Sequence, residues 1–145
     1  MESTRKTIII ELICAAFILL FIYAAVNKMV DFEKFSVELA KSPILNPIAS
    51  WVVVAVPSIE IVLSIFLIIK PLRLLALYGA FSLMVMFSAY IVAILKFSSY
   101  IPCTCGGVLQ NMGWREHLIF NIGFVTLGAI GVLMYPARVK ILSAQ

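Results

Sequence analysis

Two cysteines one residue apart lie in the stretch Pro102-Cys103-Thr104-Cys105-Gly106-Gly107, a polar break between two long apolar runs, Leu74–Leu95 and Leu118–Tyr135. A pair at that spacing can close a disulfide, but the ring is small and strained, and strain makes such a bond easier to reduce. A bond of that kind suits exchange better than permanent stapling. Pro102 restricts the backbone before the pair, and Gly106-Gly107 lets the chain turn and a partner come close. The nearby start of the last apolar run adds a helix N-terminus, which favours thiolate. The same two sulfurs, with Met112 and His117, are also of the types that hold a soft ion such as Cu(I) or Hg(II), or Zn²⁺. C-x-C alone is a weak zinc signal, because a closed site needs four ligands. Two small loop residues with no chemistry are the third reading; the flanking Pro and Gly favour redox over both rivals.

Three further residues could serve that chemistry. His117 is the only histidine and stands one turn before Asn121 on the same helical face. As a base it could deprotonate a thiol, or it could protonate a reduced quinone; otherwise it is an interfacial polar residue at a helix start. Glu60 lies inside an apolar run, ~14 Å along a helix from Trp51 at 1.5 Å per residue. An ionisable group at that depth costs at least ~2.5 kcal/mol, which makes it a functional candidate by default. It either carries a proton or meets Lys28, Asn27, Asn121 or His117 across the bundle, and a purely structural hydrogen bond is the alternative. Glu60 and Asn121 are the candidate lining of a quinone pocket. Cys14, the odd third cysteine, lies inside an apolar run and reads as packing.

The elements that must position these residues follow from composition. The chain has 145 residues, 63% of them hydrophobic and 12% charged, with a mean hydropathy of +1.12. Soluble domains are about 45–50% apolar and about 25% charged, so the solvent here is largely lipid. The net charge of +4 comes from Lys and Arg near the ends of apolar runs, which suits anionic headgroups rather than nucleic acid. There is no basic tract and no phosphate-cradling glycine loop.

Four runs, Ile8–Val26, Ile48–Ile69, Leu74–Leu95 and Leu118–Tyr135, approach the ~20 residues needed to cross a bilayer. The first contains Glu11 and ends in the poor cleavage site Tyr23-Ala24-Ala25, so it reads as an uncleaved transmembrane helix rather than a signal peptide. Between the first two runs, Asp31, Lys34, Glu38 and Lys41 recur at helical spacing beside Phe32, Phe35 and Leu39. That pattern predicts a short amphipathic helix along the interface, ended by Ser42-Pro43. Pro57, one turn before Glu60, is expected to kink the second span. Gly123, Gly128 and Gly131 in the fourth are expected to allow close helix contact. The expectation is one domain over residues 1–145: an all-α integral membrane four-helix bundle.

Arg5, Lys6, Lys70, Arg73, Arg138 and Lys140 fall on one side of such a bundle with Glu2. Lys28, Lys34, Lys41, Lys96 and Arg115 fall on the other, offset by Asp31, Glu33, Glu38 and Glu116. Trp51, Tyr100 and Trp114 share that second side. The positive-inside rule places both termini in the cytoplasm and the cysteines outside, facing the periplasm in a bacterial inner membrane, where disulfides persist.

With these residues in order, the chain resembles the DoxX-like membrane proteins, and within them the MauE-type redox-associated proteins. The matching positions are Lys28 with Asp31-Phe32, Pro57 with Glu60, Cys103-Thr104-Cys105-Gly106, then Trp114 and Asn121. The family pattern often carries Arg before the fourth-helix Asn; Phe120 stands there instead, so no charge is carried over to that position. The resemblance implies a part in forming or handling disulfides in exported proteins, by analogy with maturation of a disulfide-rich dehydrogenase subunit. The expected activity is that of a thiol-disulfide oxidoreductase. Its Cys103–Cys105 pair would exchange with an extracytoplasmic thioredoxin-like partner or a disulfide-containing substrate. Electrons would pass to a membrane quinone or another membrane thiol carrier. A soft-metal handler and a non-catalytic accessory subunit of a membrane complex are the rival readings.

Overall fold

The computed structural model describes residues 2–97 and 113–135. The described residues form five α-helices: α1 (Glu2–Val30), α2 (Phe32–Lys41), α3 (Ala49–Ile68), α4 (Arg73–Phe97) and α5 (Trp114–Met134). Single 3₁₀ turns, Asn46–Ile48 and Lys70–Leu72, lead into α3 and α4, each with a proline at its second position. Four of the helices are long and apolar enough to cross a membrane. The protein is therefore an all-α, membrane-spanning four-helix bundle with the short helix α2 beside it. In hydrocarbon a helix is one of the few ways to satisfy every backbone amide, which is why apolar runs of this length fold as they do.

The four long helices close a ring: α1 packs on α3, α3 on α4, α4 on α5, and α5 back on α1. The main core is built from Phe17, Phe21, Leu67, Leu77, Ala80 and Met84, all buried. Outward-facing Leu19, Ile68, Leu75 and Leu133, one from each spanning helix, are exposed. So wide a greasy exterior would be a liability in water and is matched to lipid tails.

Close packing of α5 depends on two glycines. A Cβ on Gly128 would stand 3.2 Å from the Phe81 Cβ, and one on Gly131 would stand 3.3 Å from both Ile13 and Leu77. Gly123 differs from expectation, since nothing lies within 4 Å of where its Cβ would be. That position of α5 faces away from the neighbouring helices.

Two helix ends reach beyond the apolar runs. α1 continues through Asn27 and Lys28, where the Asn27 side chain donates to the Tyr23 carbonyl at 2.9 Å. α5 begins at Trp114, four residues before the apolar run, so His117 lies in its first turn. There the Glu116 carboxylate accepts from the Gly113 N–H, and His117 N–H donates to the Gly113 carbonyl at 2.9 Å. A side chain that reaches back to the N-cap starts a helix before hydropathy signals it. α2 lies against α3 through Phe35 and Leu39, which bury with Ala49 and Val53. Phe32, grouped with them by spacing, is exposed.

Candidate functional site

The end of the bundle that carries α2 also holds the C-terminal turns of α1 and α4 and the first turns of α3 and α5. Between them opens a cavity of about 580 Å³. Its wall is apolar and aromatic, with Phe21, Val56, Met84, Phe87 and Ile91 among the residues that line it. Ligand pockets commonly span ~300–1,000 Å³ and carry a few converging polar groups on such a wall.

The polar groups are few. Lys28, from the last turns of α1, and Glu60, from the middle of α3, meet here: Nζ lies 2.6 Å from Oε1. The Lys28 side chain keeps 16% exposure and the Glu60 side chain 1%. Phe87 places its ring centroid 5.8 Å from the same ammonium, a distance at which a ring face attracts a cation. Glu60 thus meets one of the partners its depth demanded, and Asn27 is occupied elsewhere by Tyr23. Pro57 lies inside α3 one turn before Glu60, and Ser64 one turn after it donates to the Glu60 carbonyl at 2.8 Å.

Asn121 on α5 lines the same cavity and is 3% exposed. His117, one turn earlier on that face, is half-buried, lines the cavity, and sits 6.4 Å centroid to centroid from Trp114. Tyr90 closes the wall from α4; its hydroxyl donates to Ser42 Oγ at 3.0 Å, tying α4 to the end of α2.

Two polar atoms at this site have no hydrogen-bond partner among the described residues: Glu60 Oε2 and Asn121 Nδ2, both buried. Buried polar atoms are nearly always paired, so each orphan marks either an ordered water or a ligand. One is an acceptor and the other a donor. The cavity therefore offers complementary polar contacts in an otherwise greasy space.

Of the residues singled out in the sequence, Glu60, Asn121 and His117 come together at this one cavity. Cys103, Cys105 and Met112 lie outside the described residues, as does Tyr100. The segment that contains them joins α4 to α5; the first turn of α5 lines the cavity through Trp114 and His117, and α4 lines it as far as Ile91. Cys14 is buried in the main core and is not among the cavity's lining residues. Among the described residues no group of three or more His, Cys, Asp or Glu side chains is clustered as a metal site. Lys28, named in the sequence as a partner for Glu60 and as a position shared with the family pattern, is as much a part of the site as the acid. Tyr90 and Phe87 were not anticipated; the one signal for Tyr90 was a phenol in a run without charge.

Among curated proteins and among solved structures, none matches the chain. The model of the family described as methylamine utilisation protein MauE matches residues 6–134, from the start of α1 to the end of α5, and the chain belongs to that family.

Proposed function

We propose that this membrane protein is a thiol-disulfide redox protein that supports disulfide formation or maturation of exported proteins through Cys103 and Cys105. The observation that carries the reading is the cavity holding Lys28, Glu60, Asn121 and His117 at the end of the bundle where the cysteine-bearing segment is attached. MauE membership supports a redox or methylamine-utilisation setting, in the same direction. The order of motifs further suggests kinship with the DoxX-like proteins.

In this reading the cavity end faces the extracytoplasmic side of a bacterial inner membrane. The dithiol exchanges there with a thioredoxin-like protein or directly with a folding substrate. A bound quinone would supply a two-electron, two-proton acceptor for the electron and proton that each thiol gives up as the S–S bond forms. The orphaned Asn121 donor fits a ring oxygen of either form of such a group, and the orphaned Glu60 acceptor fits the hydroxyl of its reduced form. His117, in the first turn of α5, would accept a proton released from the sulfurs, Asn121 would donate to a ring oxygen, and Glu60 would accept from that oxygen once it is a hydroxyl. Lys28 holds the Glu60 carboxylate in place at 2.6 Å.

Thiol trapping tests the proposal. Cys103 and Cys105 should cycle together between alkylatable and disulfide states, and Cys105→Ser or Cys103→Ser should accumulate a mixed disulfide with a partner. Stoichiometric metal in the purified protein, lost in either variant, would instead support a metal handler. Normal maturation of exported proteins in the double Cys→Ala variant would leave an accessory subunit.

A further inference from the structure

Resting on that redox reading, we infer that Lys28, Glu60 and Asn121 build a binding site for the ring oxygens of a lipid-soluble quinone, and that they hold its hydroxylated, reduced form more tightly than its carbonyl form. The inference starts from the two orphaned atoms. Asn121 Nδ2 needs an acceptor and Glu60 Oε2 needs a donor. A quinone carbonyl only accepts, so it satisfies Asn121 and leaves the carboxylate oxygen bare. A hydroxyl on the same ring both accepts and donates, so it can serve the two together. The Lys28 ammonium, 2.6 Å from Oε1, favours the carboxylate form of Glu60, which only accepts. The preference for the reduced form follows from that pairing.

The rest of the cavity suits the same occupant. An acyl chain would fill the apolar wall but leave both buried polar atoms unpaired, which is the costly arrangement in a low-dielectric interior. Among the described residues a free metal ion finds one carboxylate, already taken by an ammonium, and one imidazole, too few to close a site. A planar ring with an isoprenoid tail supplies apolar surface for Phe87, Met84 and Ile91, and oxygens for the polar end.

The chain contains its own reporter. Its two tryptophans, Trp51 and Trp114, both line the cavity. Quinones quench indole fluorescence, so a ring in this cavity is read directly. The full chain carrying Cys103→Ser and Cys105→Ser, purified in detergent, keeps thiol chemistry silent. Titration with a decyl-substituted benzoquinone should quench saturably, and the matching quinol should displace it with at least a threefold lower dissociation constant.

Glu60→Gln, which keeps the shape of the side chain and can both donate and accept, should bring the two forms to equal affinity while binding persists. Asn121→Leu should weaken both forms about tenfold. Non-saturable quenching, or the same affinities in wild type and both variants, means partitioning into the micelle and overturns the inference. So does a cavity that gives up only water. Cys103 and Cys105 cycling in cells with no quinone bound by the purified protein would overturn this inference and leave the redox reading standing. Quinone binding with the stated preference and no thiol cycling would support this inference and remove the redox reading.

Discussion

Removing Lys28 should injure the protein more than removing Glu60, although the two make a single ion pair. The Glu60 side chain is 1% exposed, in the middle of α3, and has nowhere to go if its cation is lost. Lys28 keeps 16% exposure and lies two residues from the end of α1 at Val30, so its long stem can swing the ammonium toward the headgroups. Breaking a buried pair from the side that strands a charge costs about 3–5 kcal/mol, and Lys28→Met should fall in that range. Glu60→Met strands a cation that can rehydrate, and about 1–2 kcal/mol is expected, near the worth of one charged hydrogen bond. Replacing both by Met removes the desolvation penalty together with the attraction, so the double variant should return to within about 1 kcal/mol of wild type. Titration with a denaturing detergent, followed by circular dichroism, gives the three free energies and hence a coupling energy. Additive costs, with the double variant as unstable as the sum of the singles, would refute the reasoning. So would a Lys28→Met cost no larger than that of Glu60→Met.

Other outcomes follow from the same contacts. Gly128→Ala and Gly131→Ala should each destabilise the bundle by about 1–3 kcal/mol in the same denaturation assay, because their new methyl groups meet Phe81, or Ile13 and Leu77. Gly123→Ala, with open space at that position, should be neutral or stabilising by up to about 1 kcal/mol, since alanine favours a helix. Tyr90→Phe should cost about 1 kcal/mol, the value of its bond to Ser42, and should speed proteolysis between α2 and α3 if that tie holds α2 in place. Cys14, buried in the main core, should resist maleimide in the native Cys103→Ser/Cys105→Ser protein and react only after denaturation.

The spanning helices were legible because lipid leaves few choices: an apolar run of that length becomes a helix whatever its neighbours. Glu60 was legible for the same reason, since an acid at that depth must be answered by something. What answers it was less so. Lys28 follows the first apolar run and reads as loop until α1 is seen to continue through it, under the local bond from Asn27 to Tyr23. The fourth spanning helix begins four residues before its apolar run because Glu116 reaches back to Gly113, a side-chain effect that hydropathy does not register. The glycines show the limit of composition. Three on one helix look equivalent, yet Gly128 and Gly131 meet neighbouring side chains and Gly123 meets none. The cavity itself had no signal in any one segment. It forms where turns from four helices and α2 fail to fill the space between them, and only the assembled ring has that property.

The central claim is that Cys103 and Cys105 exchange electrons with a membrane carrier at the outer face. The most direct measurement is acid-quenched alkylation of the pair in native membranes, using a membrane-impermeant maleimide, with the quinone pool held oxidised and then held reduced. A pair that is disulfide in the first state and labelled dithiol in the second is the predicted result. A pair that keeps one state in both, or that the reagent never reaches even after reduction, would contradict it.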